Sequence, residues 1–342
     1  MKRLLFLDWL RILATIAVVT IHISAGVVTA NLFNHQTSWL AGNLFESISR
    51  WAVPMFVMVS GALLLNDQRV YTYREFLTKR VSKVLIPLIG WSIIYYSYFV
   101  YQGYYGFSII DFTKLFSTNG ISIHFWFIYM ILGLYLITPL LKILVQNAAK
   151  KDIEYFILLW FYVSVIAKLM RFLFDFSFNV ELYFATNYVG YFILGYYLLK
   201  YEITLIWRKV IYSSAIIGLL ATFFLTYMST IKSGGVLQEF WYEYHSPNVL
   251  LVTVGLFVAF RYSPIKNDKK LPYIPSIINN TSFGIYLVHM LVINIVSTKF
   301  SFIWFNFHPA FSIPYKVSIV IIISAFIVLI MRRIPYINKL VQ

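Results

Sequence analysis

The sequence predicts an all-α membrane protein, a polytopic bundle of about ten transmembrane helices with both termini on the cytoplasmic side. Composition is the first observation behind this prediction: the chain of 342 residues is 60% hydrophobic and 12% charged, whereas soluble domains have about 25% charged residues. The second is that the apolar residues form repeated segments of about 20 residues, the length that crosses a bilayer core as a helix. We therefore expect one transmembrane domain over residues 1–342 and no soluble domain.

The expected helices follow one another through short connections. No linker rich in Ser, Gly or Pro separates them, so any chemistry is expected within the bundle. The first helix follows Lys2 and Arg3 and is longer than the apolar core of a signal peptide, so we expect it to be retained. The expected helices span residues 4–28, 44–65, 84–102, 124–146, 153–173, 184–200, 206–228, 246–262, 279–298 and 313–332.

Lys and Arg residues predict the orientation of these helices. Twenty of the 28 lie near the termini or in the connections after every second helix. Because basic residues concentrate on the cytoplasmic side, the net charge of +15 indicates topology rather than a nucleic-acid partner. The opposite connections contain Asp111, Asp175, Glu181, Glu239 and Glu243. The twenty basic residues are Lys2, Arg3, Arg69, Arg74, Lys79, Arg80, Lys83, Lys142, Lys150, Lys151, Lys200, Arg208, Lys209, Arg261, Lys266, Lys269, Lys270, Arg332, Arg333 and Lys339.

The first helix contains two polar residues that need a reason to lie in a membrane. An arginine such as Arg11 costs about 2.5–3.5 kcal/mol near the bilayer centre, so it needs a partner or an anionic ligand. His22 lies three turns later, about 16 Å along the axis and on nearly the same face. With Asp8 and Thr15 they form a polar stripe that could line a cavity. The structural alternatives are Arg11 paired with Asp8 or reaching the interface, and His22 as a hydrogen-bonded core residue.

Two further helices carry histidines beside other polar or aromatic residues. His124 and Trp126 begin the fourth expected helix at about the depth of the first helix's histidine, so a shared site is geometrically possible. An aromatic belt at the membrane interface would explain Trp126 equally well. In the ninth helix, Ser282, Tyr286 and His289 share one face by spacing, and interhelical hydrogen bonding would also explain them.

Basic residues elsewhere are candidates for contacts with an anion or a substrate. Arg50 lies one turn after a glutamate in the second helix, and the two charges would neutralise each other. Arg80 and Lys83 precede the third expected helix, where topology alone explains them although they could bind phosphates. Lys168 and Arg171 oppose the charge rule near the outer end of the fifth helix, so they could meet an acidic acceptor.

Four segments together resemble the bacterial acyltransferase 3 family of membrane proteins, and the resemblance spans the whole chain. They are LDWLRILATIAVVTIH, which has Arg11 and His22 in an R-x10-H pattern, then FVMVSGALLL, HFWFIYMILGLYLITPLL and SFGIYLVH. Arg80 and Lys83 are similar to the family's R-x-x-R motif, but Lys replaces the second arginine. That change keeps a role for charge and weakens the case for bidentate phosphate binding.

The resemblance implies a stand-alone membrane O-acyltransferase of the bacterial cytoplasmic membrane. It would move an acyl group, commonly acetyl, from cytoplasmic acyl-coenzyme A to a hydroxyl of a glycan or lipid-linked sugar outside or within the membrane. A transporter or flippase for a lipid-linked or surface glycan is the competing prediction, because a polar path through a helical bundle also suits transport.

For the enzyme, His22 would be the catalytic base that deprotonates the acceptor hydroxyl, or it would carry the acyl group itself. The chain has no cysteine, which excludes an acyl-enzyme on sulfur, and no metal is expected. The residues expected to bind acetyl-coenzyme A are Arg11, Arg80, Lys83, Ser282, Tyr286 and His289. The residues expected at the acceptor are His124, Trp126, Arg50, Lys168 and Arg171.

Overall fold

The computed structural model describes residues 4–69, 71–176, 182, 186–265, 269–305 and 307–341, and every regular element within these ranges is helical. Eight segments of this part of the chain are long and apolar enough to cross a membrane, which confirms the predicted polytopic helical bundle. The eight segments are Leu5–Val28, Gln36–Leu65, Tyr73–Tyr101, Ile123–Asn147, Lys150–Phe174, Leu205–Lys232, Tyr273–Lys299 and Pro309–Arg333.

The described residues form fourteen α-helices, because several membrane spans contain more than one helix. Some positions used in the sequence predictions lie outside the described residues, namely Lys2, Arg3, Lys266, Glu181 and the start of the expected helix 184–200. The helices are α1 (Leu5–Val28), α2 (Gln36–Ser47), α3 (Ala52–Leu65), α4 (Tyr73–Arg80), α5 (Ser82–Tyr101), α6 (Ile109–Ser117), α7 (Trp126–Asn147), α8 (Lys150–Phe161), α9 (Ala167–Phe174), α10 (Tyr188–Lys200), α11 (Leu205–Lys232), α12 (Pro247–Arg261), α13 (Tyr273–Lys299) and α14 (Pro309–Arg333).

Three of the spans consist of consecutive helices. A turn at residues 48–51 separates α2 from α3, and a π-helical turn over Tyr162–Ile166 joins α8 to α9. α4 leads into α5 and starts at a capping box, in which Thr72 and Glu75 satisfy each other's backbone N–H groups. The span therefore begins earlier than the expected segment 84–102, because its first two turns carry charged residues that hydropathy assigns to a connection.

α10 and α12 are shorter than the core of a bilayer. Their 13 and 15 residues rise about 20 and 22 Å, whereas the core is about 30 Å thick. Both helices end on the basic side of the bundle, the side on which α1 begins, and their ends lie together there because Arg261 donates hydrogen bonds to the carbonyl oxygens of Leu198 and Tyr201. The part of the bilayer core that the two helices do not span therefore lies on the opposite side, where they start.

α3 and α10 approach each other backbone to backbone in the centre of the bundle. A Cβ atom added at Gly61 would lie 1.8 Å from the carbonyl oxygen of Phe192, and one added at Gly195 would lie 2.0 Å from that of Met58. Neither approach leaves room for a side chain, which is why glycine occupies both positions. This contact holds the short α10 inside the bundle, beside α3, which begins two residues after Arg50.

α1 lies inside the bundle, since it contacts α2, α3, α12, α13 and α14. Its polar residues are therefore available to neighbouring helices, whereas large apolar side chains on outer helices such as α11 are exposed, as suits contact with lipid. The helix that carries Arg11 and His22 is thus central to the fold.

Candidate active site

α1 and α13 join their polar faces along the length of the bundle. Three contacts link them: Arg11 Nη1 to Asn279 Oδ1 at 3.4 Å, Thr15 Oγ1 to Ser282 Oγ at 2.6 Å, and the ring of His22 to that of His289 with centroids 5.0 Å apart. The sequence separation is 268 and 267 residues in the first two pairs and stays the same in the third. The two helices therefore run parallel and in register, so the two polar stripes predicted separately form one ladder.

Arg11 lies at the basic-side end of this ladder. Its guanidinium is 3.4 Å from a carboxylate oxygen of Asp8, one turn earlier on α1, and the side chain is 30% exposed. The pairing with Asp8 that we considered as an alternative is therefore present, and it leaves part of the guanidinium facing open space.

That space is a cavity of about 310 Å³, which we call the inner cavity. An adjoining cavity of about 360 Å³ shares Arg11, Ser60, Arg80 and Tyr135 with it, so the two form a continuous basic region. Of the residues predicted to bind the acyl donor, the inner cavity is lined by Arg11, Arg80, Lys83, Ser282 and Tyr286.

The adjoining cavity also contains an ion pair that the sequence analysis did not single out. Arg69 donates from Nε and Nη2 to the two carboxylate oxygens of Asp67, at 2.9 and 2.7 Å. These hydrogen bonds hold the pKa of Asp67 below its usual value, so the pair is ionised and fixes the Arg69 guanidinium beside the cavity. The positive-inside rule already accounted for Arg69, and so no sequence pattern indicated an ion pair between Asp67 and Arg69.

Three histidines meet farther along the ladder. The ring centroids of His22 and His124 lie 6.5 Å apart, and the ring of His289 lies 5.0 Å from the first and 5.1 Å from the second. We call these three residues the histidine cluster. His124 and His289 are buried and His22 is half-buried. Three separate parts of the chain contribute to the cluster, namely α1, the turn before α7, and α13.

Hydrogen bonds fix two of these rings through their Nδ1 atoms. His289 Nδ1 lies 2.6 Å from the carbonyl oxygen of Tyr286, and so it carries the proton and donates it. His124 Nδ1 lies 2.9 Å from the hydroxyl of Ser122. Within the described residues, the Nε2 atoms of both rings are buried and make no hydrogen bond. Buried polar atoms usually have partners, so these Nε2 atoms are suited to contact a bound molecule or another imidazole.

Tyr286 connects the inner cavity with the histidine cluster. Its ring lines the cavity, and its centroid lies 5.5 Å from that of His124 and 5.7 Å from that of His289. Its hydroxyl donates to the carbonyl oxygen of His124. The buried hydroxyl of Tyr95 hydrogen-bonds to two backbone groups of α13 just beyond this position. Tyr286 therefore lies between the inner cavity and two histidines of the cluster.

A pocket of about 430 Å³, the outer pocket, lies where α10 and α12 begin. It exists there because both helices are short, so residues of the preceding connections line the space that longer helices would fill. Three of the predicted acceptor residues line it: Arg50, Trp126 and Lys168. The other lining residues are Asn187, Tyr188, Glu239, Tyr242, Glu243, Tyr244 and His245.

Arg50 is neutralised as its spacing predicted. Its Nη2 lies 2.6 Å from a carboxylate oxygen of the fully buried Glu46, which also accepts a hydrogen bond from Ser24 at 3.1 Å. The guanidinium lies over the ring of Tyr242, 4.3 Å from its centroid. Its Nε makes no hydrogen bond within the described part of the chain, so Arg50 can contribute a donor to the outer pocket without an unbalanced charge.

The remaining predicted site residues lie away from the cavities to which we assigned them. His289 belongs to the histidine cluster rather than the inner cavity, and His124 belongs to the same cluster rather than the outer pocket. Arg171 is exposed on α9 and lines neither the inner cavity nor the outer pocket. We considered both residues because they oppose the charge rule, and of the two the structure brings Lys168 to the outer pocket.

The sequence analysis missed the residues that the outer pocket takes from the connection before α12. Tyr244 and His245 lie there, outside any helix, and so periodicity could not place them. The only available signal was a histidine in a connection rich in aromatic and acidic residues. Burial lowers the pKa of His245 to about 4, helped by the nearby charge of Lys168 and opposed by a hydrogen bond to the backbone of Asn187.

The arrangement can bind an anion on the basic side and exchange protons at its centre. Three cationic side chains line the inner cavity, and neutral imidazoles are effective acids and bases near pH 7. Among the described residues, no group of three or more His, Asp or Glu side chains could hold a metal ion.

Sequence comparison assigns the chain to a family over almost its full length. The profile of a family described as an acyltransferase domain matches residues 4–333. No curated protein and no solved structure matches the chain significantly. The matched region includes α1 to α14, and hence the inner cavity, the histidine cluster and the outer pocket. The chain therefore belongs to the acyltransferase 3 family and is a multi-pass membrane acyltransferase.

Proposed function

We propose that the protein is an O-acyltransferase that takes an acyl group, acetyl in the first instance, from cytoplasmic acyl-coenzyme A and transfers it to a hydroxyl of an extracytoplasmic or lipid-linked glycan. One observation carries this proposal: a cationic cavity on the basic side is lined by a tyrosine whose ring lies beside two of the three clustered histidines. Donor and acceptor can therefore approach the same imidazoles from opposite sides of the membrane.

The inner cavity suits the donor because coenzyme A is a polyanion with a long, narrow arm. Arg11, Arg80 and Lys83 supply positive charge to phosphates. Arg11 and His22 lie on one continuous helix, separated by about 16 Å along its axis. That distance is of the order of the length of a pantetheine arm, so a phosphate held near the basic side would leave the thioester near the histidine cluster. The acyl group would have to pass Tyr286 to reach it.

The reaction needs one base close to the thioester. His22 would accept the proton of the acceptor hydroxyl while that oxygen attacks the thioester carbonyl carbon. The carbon–sulfur bond then breaks, and the proton passes from His22 to the departing coenzyme A thiolate. The products are an ester and free coenzyme A. An acyl group carried transiently on His22 would give the same products in two steps.

His289 is placed to support this role. Its Nδ1–H is committed to the Tyr286 carbonyl oxygen, so its unpaired Nε2 can accept a hydrogen bond from a neighbouring imidazole. The ring next to it is that of His22. Such a contact would orient the base and stabilise its protonated form, as the orienting group of a catalytic triad does. We therefore reassign His289 from donor binding to positioning of His22.

The experiment that tests this function measures transfer directly. Purified protein in vesicles would be supplied with radiolabelled acetyl-coenzyme A and a crude envelope-glycan fraction. We expect alkali-labile label on glycan together with release of free coenzyme A. His22→Ala should lower the rate by at least about 100-fold, the size of a general-base contribution. His308→Ala, which removes an exposed histidine outside the site, should keep the wild-type rate.

Two results would contradict the proposal. A folded His22→Ala variant that works at the wild-type rate would remove the base from the mechanism. Movement of glycan across the vesicle membrane without ester formation would favour the transporter instead, which the presence of cavities on both sides of the cluster keeps as the second candidate.

A further inference from the structure

The outer pocket has the lining of a carbohydrate site. The ring of Trp126 lies nearly parallel to that of Tyr244, at 27° with centroids 5.7 Å apart, and 5.7 Å from that of Tyr188. Aromatic rings of this kind stack on the apolar faces of sugar rings, while their polar atoms remain available for hydrogen bonds. The volume of about 430 Å³ falls in the usual range of ligand sites, about 300–1,000 Å³.

His245 is a buried polar residue that lines this pocket. It is 5% exposed, and its ring packs against that of Tyr188 with centroids 4.7 Å apart. Its Nε2 is buried and makes no hydrogen bond to the described residues. Because its pKa is about 4, the ring is neutral at pH 7. A neutral imidazole nitrogen in an aromatic pocket is a partner for a hydroxyl group rather than for a charge.

The charged side chains around the outer pocket carry a small excess of negative charge. Arg50 is paired with the buried Glu46, and Lys168 shares the pocket with Glu239 and Glu243. A carboxylate or phosphate on the acceptor would therefore enter beside two carboxylates, and Lys168 is the one lining cation that has no ion pair among the described residues. An uncharged sugar needs only hydrogen bonds, which His245 Nε2 and the Nε–H of Arg50 can supply.

We propose that the outer pocket is the acceptor subsite and that it selects an uncharged sugar residue, which stacks on Trp126 and Tyr244 and is hydrogen-bonded by His245 Nε2. The assignment rests on the proposed function, since it identifies the class of acceptor for the same reaction. His245 is a binding residue here, separate from the histidine cluster that performs the transfer.

A pair of soluble acceptors tests the class of sugar. Purified protein would be given radiolabelled acetyl-coenzyme A with either chitotetraose, which is neutral, or tetragalacturonate, which carries one carboxylate per ring. We expect at least tenfold more label on chitotetraose. A preference for tetragalacturonate, or label on neither compound, overturns the selection of neutral sugars.

Variants of His245 test the contact. His245→Ala should raise the KM for chitotetraose at least tenfold and leave the KM for acetyl-coenzyme A unchanged, which also shows that the variant is folded. His245→Gln should recover part of the loss, because its amide reaches the position of Nε2. The matched control is His35→Ala, an exposed histidine at the start of α2.

An unchanged KM for chitotetraose in His245→Ala overturns the assignment of this residue. Failure of the proposed function would look different, because wild-type protein would then transfer no label to the envelope-glycan fraction either.

Discussion

Arg11 has contacts that explain its place in the bundle, and we propose a second role for it in binding the acyl donor. A charge at this depth is costly, and Asp8 and Asn279 offset the cost through contacts at 3.4 Å. At that distance the hydrogen bonds are weak, so an anion that enters the inner cavity could compete with both neighbours for the guanidinium. A phosphate would bind there through charge-assisted hydrogen bonds, which are stronger than a bond to the neutral Asn279.

This predicts a specific defect for Arg11→Gln. The substitution removes the charge and keeps a polar side chain, so donor binding should suffer more than the transfer step. We expect the KM for acetyl-coenzyme A to rise about tenfold, equal to about 1.4 kcal/mol of lost binding, with kcat reduced less. Steady-state kinetics at several salt concentrations would also show a weaker dependence of KM on salt than in wild type.

Arg74→Gln is the control, since Arg74 is exposed on α4 and lines neither cavity of the basic region. An equal rise of KM in both variants would show that general surface charge, and not Arg11, attracts the donor.

The sequence predicted which polar residues share one face of a helix wherever helical spacing applies. Arg11 and His22 on one helix, and Ser282 and His289 on another, follow from steps of three and four residues. Their pairing into one ladder depends on which helices become neighbours, and no local pattern encodes that choice. His245 could not be found in this way, because it lies in a connection between helices.

At the scale of elements, the short helices α10 and α12 have the greatest effect on the site. The sequence predicted these helices at residues 184–200 and 246–262, and the structure has them at Tyr188–Lys200 and Pro247–Arg261. Before α12, Phe240–Tyr242 forms a short 3-10 helix in place of a further turn of α-helix. The outer pocket occupies the space at the starts of α10 and α12 that longer helices would fill. Hydropathy records how apolar a segment is and does not record whether its backbone is helical.

Close packing of α3 against α10 leads to a stability prediction. Gly61→Ala would place a methyl group against the backbone of α10, where no side chain can move away. We expect a loss of about 1–3 kcal/mol, the usual cost of overpacking. The measurement is thermal unfolding of detergent-purified protein, followed by size-exclusion chromatography with fluorescence detection.

Gly133→Ala in α7 is the matched control, because a Cβ atom added there would meet no atom within 4 Å. Its unfolding temperature should equal that of wild type or exceed it slightly, since alanine is the better helix former. Equal unfolding temperatures for Gly61→Ala and wild type would mean that α3 and α10 can separate without cost.

At the scale of the whole molecule, the membrane class followed from composition and the bundle from segment length, and eight spans confirm both. Orientation followed from charge alone. The structure adds an independent constraint, because the in-register contacts between α1 and α13 require both helices to start on the same side. The short α12 must therefore carry the chain back to the basic side before α13 begins.

The absence of cysteine makes this topology directly testable with single-cysteine variants. Val236→Cys and Lys270→Cys place exposed thiols before and after α12. In intact cells, a membrane-impermeant maleimide should label Val236→Cys and leave Lys270→Cys unlabelled until the membrane is permeabilised. Labelling of both thiols in intact cells would mean that α12 does not return the chain to the cytoplasm. In that case α13 would start outside, its parallel ladder with α1 could not form, and His22 would lose His289 as its neighbour.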